Sequence, residues 1–301
     1  MTSNPWDAEH PVDAALATRL VHGQFPEFAD REAVRVGQGW DNDVWRFGSM
    51  AFRFPRREFG VSAMGLEAAV LPALAERVPI PIPAPTLFGE PTEAFPYPWI
   101  GHVFVAGTTG DRAVLSAEQR IALAPAIGRF LRSLHDFDVE EAHGYGIPYD
   151  GPRGRTDKTA AWIIECSERL RGTPAEVYIP AIVDIASDPP DSSDEIDVLC
   201  HGDMYCRHIL VDDQRRLSGV IDWGDVHTGD PARDLSIHIS LIPPEGRAAF
   251  EDAYGPMDDG LKRRARLQAL MYGVVLNAYG RDVGDRPLLA ESVVLLENVL
   301  A

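Results

Sequence analysis

The chain is short of positive charge, and above all of lysine. Of its 301 residues, 28 are Lys or Arg and 46 are Asp or Glu, which gives a formal net charge of -18. Lys158 and Lys262 are its only lysines. Because so acidic a protein repels the phosphates of nucleic acid, we expect no nucleic-acid partner. The same field would attract a cationic small molecule, but acidity that only keeps a protein soluble explains the charge equally well.

Other features are absent as well. Cys166, Cys200 and Cys206 cannot form an even disulfide framework, which suggests a reducing compartment. There is no run of about 18 apolar residues, and the polar N-terminus lacks the basic head and apolar core of a secretory signal. We therefore expect a cytoplasmic protein with no membrane span.

The most informative segment is 198–225. Two apolar, β-branched runs, 209–211 and 217–221, flank a polar turn and predict a β-hairpin. The start of the first strand of a hairpin lies beside the end of the second, so His208 and Asp222 should converge, with Asp203 in the loop just before them. An aspartate beside two residues that can bind a metal, one of them a second carboxylate, is the arrangement of a phosphoryl-transfer site.

A glycine turn lies between two predicted strands near the N-terminus. Gly37 and Gly39 separate residues 34–36 from residues 44–47. A dinucleotide-binding fingerprint would need a third glycine where Asn42 stands, followed by a helix, and a strand follows instead. The chain contains no Walker A sequence. The pattern fits either an ordinary tight turn or a loop that covers a nucleotide.

The segments His201-Gly202-Asp203, His208 and Ile221-Asp222-Trp223 together resemble the catalytic loop and metal-binding motif of the aminoglycoside phosphotransferase family. The histidine at 208 makes the pattern most similar to the 2''-phosphotransferases and macrolide phosphotransferases. The resemblance covers residues 33–301 and implies an α+β, protein-kinase-like two-lobe fold. An N-terminal lobe, 1–105, would hold an antiparallel sheet with one helix and the hinge. A larger, mainly helical lobe, 106–301, would be catalytic.

The resemblance also implies the roles of individual residues. Asp203 would be the catalytic carboxylate that orients the acceptor hydroxyl, and His208 and Asp222 would bind Mg²⁺. The phosphate donor would be ATP or GTP. The nucleotide-binding residues implied in this way are Gly37, Gly39, Arg53, Glu67, Val103, Val105 and Ile221.

The N-terminal lobe departs from the family pattern at one position. A lysine normally binds the nucleotide phosphates and pairs with a helical acid, but this chain offers Arg53 on strand 51–55, with Glu67 on a helix predicted over 61–77. Arginine keeps the charge and can bridge phosphate oxygens. His102, in the strand before the hinge, would lie behind the base by resemblance, although a histidine there more often belongs to the core.

In the C-terminal part, apolar spacing and capping residues predict helices over 116–135, 159–170, 174–185, 245–254, 261–276 and 288–300. Gly/Pro-rich residues 144–154 predict a loop. The crowded Cys200, His201, Cys206 and His208 invite a zinc interpretation, but their spacing matches no known ribbon or finger.

Three functions fit this pattern. The first is a kinase that phosphorylates a hydroxyl of an antibiotic, aminoglycoside or macrolide, and so confers resistance. The second is a metabolic small-molecule kinase of the same fold, acting on a sugar, a choline-like amine or an amino alcohol. The third is a nucleotide-binding protein without turnover. Asp225 and Asp230 are candidate partners for an amine, or else turn caps. We expect a monomer that binds a small, cationic substrate.

Overall fold

The structure is a computed structural model, and it describes residues 8–38, 41–193 and 197–301. Gly39 therefore lies outside the described residues. The chain forms two compact units. The first takes in the chain up to Glu76 together with Ile82–Val105, and the second consists of Arg77–Pro81 and Ala106–Ala301.

A five-stranded antiparallel sheet forms the centre of the first unit. Its strands are β1 (Val34–Gln38), β2 (Asn42–Phe47), β3 (Met50–Pro55), β4 (Pro85–Gly89) and β5 (Trp99–Val103). They lie in the order β1-β2-β3-β5-β4, and Trp45 of β2 faces Phe52 of β3. Aromatic side chains of the sheet fill the core, where the ring centroids of Phe54 and Trp99 lie 4.9 Å apart.

Two helices accompany this sheet, where the sequence predicted one. Helix α1 (Ala14–Gln24) starts at Asp13, whose side chain accepts the N–H of Leu16 at 2.7 Å. It buries Leu20 and Val21 in the aromatic core. The prediction of a single helix is therefore wrong. The missed helix carries only a narrow apolar stripe, and its stability comes from packing against the sheet.

Helix α2 (Glu58–Ala75) packs against β3, β4 and β5 and corresponds to the predicted helix 61–77. By length and composition alone, it is the one helix among the described residues that could cross a membrane. A single helix of this kind is weak evidence, because core helices of soluble proteins have the same composition. Its buried Glu67 forms an ion pair within the unit.

The second unit is mainly helical. Helix α3 begins with a capping box in which Ser116 and Gln119 bond each other's backbone N–H, and α9 starts at the side-chain cap of Asp258. Its helices are α3 (Ala117–His135), α4 (Val139–Gly144), α5 (Thr156–Ser167), α6 (Ile179–Ser187), α7 (Ala232–Ser240), α8 (Pro244–Tyr254), α9 (Asp259–Asp282) and α10 (Arg286–Leu300).

Two small sheets interrupt these helices and carry the loops of interest. One joins β6 (Thr108–Thr109), β8 (Ile209–Val211) and β9 (Leu217–Val220). The other pairs β7 (Val198–Cys200) with β10 (His227–Gly229). The predicted hairpin is the antiparallel pair β8–β9, with Ile209 opposite Val220.

The prediction of an α+β fold with an N-terminal antiparallel sheet and a helical C-terminal part is confirmed. Most helices begin and end within a few residues of their predicted bounds. The predicted loop 144–154 contains a short 3-10 helix, Gly151–Gly154, and α4 and α7 were not predicted. Helix α7 is buried almost all round, so it lacks the one-sided apolar stripe on which helix prediction depends.

Candidate active site

The hairpin brings together the two residues predicted to hold a metal. The Ile221 N–H donates to the His208 carbonyl at 2.9 Å and closes the open end of the hairpin. There, His208 Nε2 lies 3.2 Å from Asp222 Oδ2. The predicted convergence of these two side chains is confirmed.

The backbone of Asp222 has an unusual conformation. Its φ of 67° lies in the left-handed region, which non-glycine residues seldom adopt and which is common at functional sites. The next residue, Trp223, is fully buried, and its indole N–H donates to the Val220 carbonyl at 3.3 Å. Anchored by this indole, the turn leaves the Asp222 side chain 59% exposed and able to bind a ligand.

The ring of His208 is oriented by its second nitrogen. Nδ1–H donates to the backbone carbonyl of Asp203 at 2.7 Å, which leaves Nε2 directed at Asp222. Burial lowers the pKa of His208, but the charge of Asp222 and its hydrogen bond outweigh burial and raise that pKa to about 9. A hydrogen bond that fixes one ring nitrogen is the usual arrangement for a histidine that binds a metal through the other.

Asp203 lies in the loop between β7 and β8. Its backbone N–H donates to His201 Nδ1 at 3.2 Å, while His201 Nε2 bonds the Ile221 carbonyl at 3.0 Å. The Tyr272 hydroxyl donates to Asp203 Oδ1 at 2.8 Å. Burial raises the pKa of Asp203, and the nearby His208 opposes that rise. A carboxylate held beside a ligand pair is suited to accept a proton from a hydroxyl group.

Asp234 of α7 fixes this loop, and the sequence analysis assigned it no role. Its Oδ2 accepts the His201 N–H at 2.7 Å, and its Oδ1 accepts the Gly202 N–H at 2.9 Å. His135 of α3 also bonds Oδ2, at 3.2 Å. Burial would raise the pKa of Asp234, but the hydrogen bond and charge of His135 outweigh it and lower that pKa. The only sequence signal for Asp234 is its position shortly after the turn Gly229-Asp230-Pro231.

The donor set at the hairpin end suits a divalent cation. Asp222 offers carboxylate oxygen, which Mg²⁺ prefers, and His208 offers a softer nitrogen that also suits Mn²⁺. The zinc interpretation finds no support. Among the described residues, only His135, Cys200 and Asp234 bring three metal-binding atoms close to one another. These atoms already take part in hydrogen bonds. Cys206 and His208 do not belong to this group.

In the first unit, Arg53 and Glu67 form a buried, two-pronged ion pair. Arg53 Nη2 donates to Glu67 Oε1 at 2.9 Å, and Nη1 donates to Oε2. Both side chains are at least nine-tenths buried. The predicted pairing of these two residues is confirmed, and it fixes the guanidinium on β3. Its role toward a nucleotide stays a prediction.

The other predicted nucleotide-binding residues of this unit lie along two strands. Gly37 sits on β1 after a register shift, and a Cβ added there would meet open space, so packing does not require glycine. Val103 ends β5 with its side chain 62% exposed, whereas Val105 is buried. His102 is buried, and its Nδ1–H donates to the Val103 carbonyl at 2.9 Å. Burial lowers its pKa to about 4, so the ring is neutral.

The two carboxylates considered as amine partners differ. The Asp230 side chain is 3% exposed, accepts Arg264 Nε at 2.6 Å and accepts the Ala232 N–H at the start of α7. It is a structural residue, so it is not an open amine partner. Asp225 is 44% exposed and accepts Arg153 Nη2 at 2.6 Å. Of the two, only Asp225 is accessible to a substrate.

The fold is that of the kinase-like class of phosphotransferases. A model of the phosphotransferase enzyme family matches residues 32–268. The chain belongs to that family.

Solved structures of similar fold are also phosphotransferases. The GDP complex of wild-type aminoglycoside 2'-phosphotransferase-IIIa has a TM-score of 0.69 at 23% identity, over 96% of this chain and 99% of that one. The macrolide 2'-phosphotransferase MphH from Brachybacterium faecium has a TM-score of 0.62 at 21% identity, over 95% and 98%. At such identities the likeness shows the fold alone.

One similar sequence comes from Bacillus subtilis strain 168. Uncharacterized protein YcbJ is 29% identical over 126 residues, which are 41% of this chain and 40% of YcbJ. The chain thus matches less than half the length of that relative.

Proposed function

We propose that this protein transfers the γ-phosphate of a nucleoside triphosphate to a hydroxyl of an antibiotic, an aminoglycoside or a macrolide. The observation that carries the proposal is the position of Asp203 beside the His208–Asp222 pair, on one loop and one hairpin held by Asp234. Phosphoryl transfer asks mainly for positioning and charge neutralisation, and this arrangement offers both.

In this proposal Asp203 is the catalytic residue. It accepts a hydrogen bond from the acceptor hydroxyl, aims the oxygen at the γ-phosphorus and takes the proton as the new bond forms. Asp222 and His208 would hold Mg²⁺, which would neutralise phosphate charge. The Ile221 backbone, bonded to His201 and His208, keeps Asp222 in place.

Nucleotide binding in the first unit is assigned to Arg53, with Glu67 as the acid that orients it. A fixed guanidinium can bridge two phosphate oxygens. Gly37, on β1, would lie over the phosphates, and Gly39 stays a predicted nucleotide-binding residue. Backbone groups of Val103 and Val105 would bind the base. Because backbone groups would do so, either ATP or GTP fits as donor.

The acceptor is proposed to be cationic, with Asp225 as its accessible carboxylate. Two features favour this: the net charge of -18 and the 44% exposure of Asp225. Since Arg153 already pairs with Asp225, an amine would have to share or displace that partner. We further propose that the protein is a cytoplasmic monomer.

The alternative is a metabolic kinase of the same fold, acting on a sugar, a choline-like amine or an amino alcohol, because the catalytic residues specify the transferred group and not the acceptor. A protein that binds nucleotide without turnover is the third possibility, suggested by Arg53 in place of lysine. The retained Asp203 and Asp222 argue against it.

An acceptor panel separates these functions. The purified protein is incubated with MgCl₂ and with ATP or GTP in turn, and nucleotide consumption is measured with aminoglycosides, macrolides, sugars and amino alcohols. Mass spectrometry of each acceptor checks for an added phosphoryl group, and Asp203→Asn supplies the inactive control. Transfer to sugars or amino alcohols alone would favour the metabolic kinase. Nucleotide binding without transfer to any acceptor would favour the third possibility.

A further inference from the structure

Tyr272 contacts the proposed catalytic carboxylate directly. It lies in the middle of α9 and is 5% exposed, and its hydroxyl donates to Asp203 Oδ1 at 2.8 Å. Among the described residues, no other side chain forms a hydrogen bond with this carboxylate; His208 Nδ1 approaches Oδ2 only to 3.5 Å and bonds the Asp203 backbone instead. The two carboxylate oxygens therefore have different surroundings.

The Tyr272 ring is held in place by a second aromatic residue. It stacks on Tyr205 with ring centroids 5.2 Å apart and planes 21° apart. Tyr205 in turn lies 4.3 Å from the ring of His208. Because these rings pack against each other and α9 is buried along this face, the Tyr272 hydroxyl is a fixed donor. A fixed donor to one oxygen sets the rotation of the whole carboxylate.

We propose that Tyr272 is the positioning residue that orients Asp203, occupying Oδ1 so that Oδ2 receives the acceptor hydroxyl. This inference rests on the proposed function. In the step, the acceptor oxygen bonds the γ-phosphorus while the bond from that phosphorus to the β–γ bridging oxygen breaks. The nucleoside diphosphate leaves, and the hydroxyl proton passes to Oδ2 of Asp203.

The consequence is a specific division of kinetic effects. Without the Tyr272 hydroxyl, the carboxylate can rotate away from the line between acceptor and phosphorus, which lowers the chemical rate. Neither the nucleotide nor the acceptor touches Tyr272 in this scheme, so their binding should be unaffected. A residue with a merely structural role would instead change stability and binding together.

The test is the Tyr272→Phe variant, which keeps the ring and its stacking. We expect kcat to fall roughly 10- to 100-fold, the worth of one hydrogen bond to a charged group, while the KM values for nucleotide and acceptor stay within about twofold. Tyr279→Phe removes a hydroxyl from the same helix two turns away and should leave kcat within about twofold. In the Asp203→Asn background, any residual transfer should change little when Tyr272→Phe is added, because the hydroxyl acts through the acid.

An unchanged kcat in Tyr272→Phe would overturn the inference, and so would a rise in the nucleotide Kd that matches the fall in kcat. If Asp203→Asn abolishes transfer and Tyr272→Phe does not, Tyr272 has no such role although the proposed function stands. If Asp203→Asn retains full activity, the proposed function fails first. Crystal structures supply a readout that needs no activity: the Asp203 carboxylate should occupy one rotamer in the wild type and more than one, or another, in Tyr272→Phe. An identical single rotamer in both also overturns the proposal.

Discussion

The carboxylate of Asp234 accepts the backbone N–H of Gly202 at 2.9 Å, and thereby ties α7 to the loop that carries Asp203. Gly202 has a φ of 85°, and an added Cβ would lie 2.2 Å from the Asp225 carbonyl, so only glycine fits there. The loop is thus fixed by a buried acid on one side and by close backbone packing on the other.

The Asp234 contact predicts a loss of both stability and activity in Asp234→Asn. The His201 and Gly202 N–H groups bond different oxygens of Asp234, and in asparagine one of these becomes an NH₂ donor that cannot accept either N–H. We expect the free energy of unfolding to fall by about 2–4 kcal/mol, and kcat to fall with it. Denaturant titration followed by tryptophan fluorescence measures the first effect. Asp259→Asn, an exposed acid in the first turn of α9, should change neither quantity.

Asp203→Ala should abolish transfer and leave nucleotide binding nearly intact. In the proposed mechanism the carboxylate contacts the acceptor hydroxyl and not the phosphates, and a general base contributes about 10²–10⁴-fold to rate. Turnover assays and calorimetric titration with nucleotide measure the two properties separately. Asp213→Ala removes an exposed acid from the β8–β9 turn and serves as the control. Equal losses of affinity and turnover would show that another acid is the base.

The metal residues should differ in their effects. Asp222→Asn should raise the Kd of the magnesium–nucleotide complex by about tenfold or more, because it removes a charged ligand. His208→Asn should be milder, since an amide oxygen is a ligand that Mg²⁺ accepts. Titrations of nucleotide at several concentrations of MgCl₂ and of MnCl₂ compare the variants. Complete inactivity of His208→Asn at saturating Mg²⁺ would reveal a different role for this histidine.

Arg53→Ala should raise the KM for nucleotide by an amount equivalent to about 1.5–3 kcal/mol, the worth of a charge-assisted hydrogen bond. Glu67→Ala should cost less binding energy, and the two effects should not add, because the acid acts through the arginine. Arg53→Lys keeps the charge and should retain most activity.

Nucleotide titrations of these variants need an arginine control outside the pair. Arg19→Ala, on the exposed face of α1, should leave nucleotide affinity unchanged. Since Arg53 and Glu67 are buried, unfolding is measured alongside, so that a loss of affinity is counted only in folded protein. Unchanged affinity in folded Arg53→Ala would mean that β3 does not contact the phosphates.

His102 should make stability depend on pH. Burial lowers its pKa from 6.5 to about 4, so between these values the unfolded state binds more protons and stability falls as the pH drops. At about pH 5 this contribution amounts to about 2 kcal/mol. The loss of stability between about pH 7.5 and about pH 5 should therefore be smaller by that amount in His102→Leu. His10→Leu, at an exposed histidine of the same unit, should keep the wild-type dependence.

The sequence by itself determined the elements whose signals are local. Alternating apolar residues predicted β2, a capping residue and apolar spacing predicted α3, and two β-branched runs around a polar turn predicted the β8–β9 hairpin. Because a short loop fixes the geometry of a hairpin, the sequence also predicted that the side chains of His208 and Asp222 lie close together. Helices α1 and α7 escaped because their stability depends on what they pack against.

Only the tertiary structure decided which residues hold and orient the acid. Tyr272 and Asp234 contact the Asp203 loop from α9 and α7, at sequence separations that no local pattern encodes. The tertiary structure also decided that Asp230 is bonded to Arg264 while Asp225 stays accessible. The sequence does not reveal this difference, because both residues follow a glycine in similar turns. Hydrogen bonds between distant segments form only when the helices pack, so their partners are read from the fold and not from the spacing of residues.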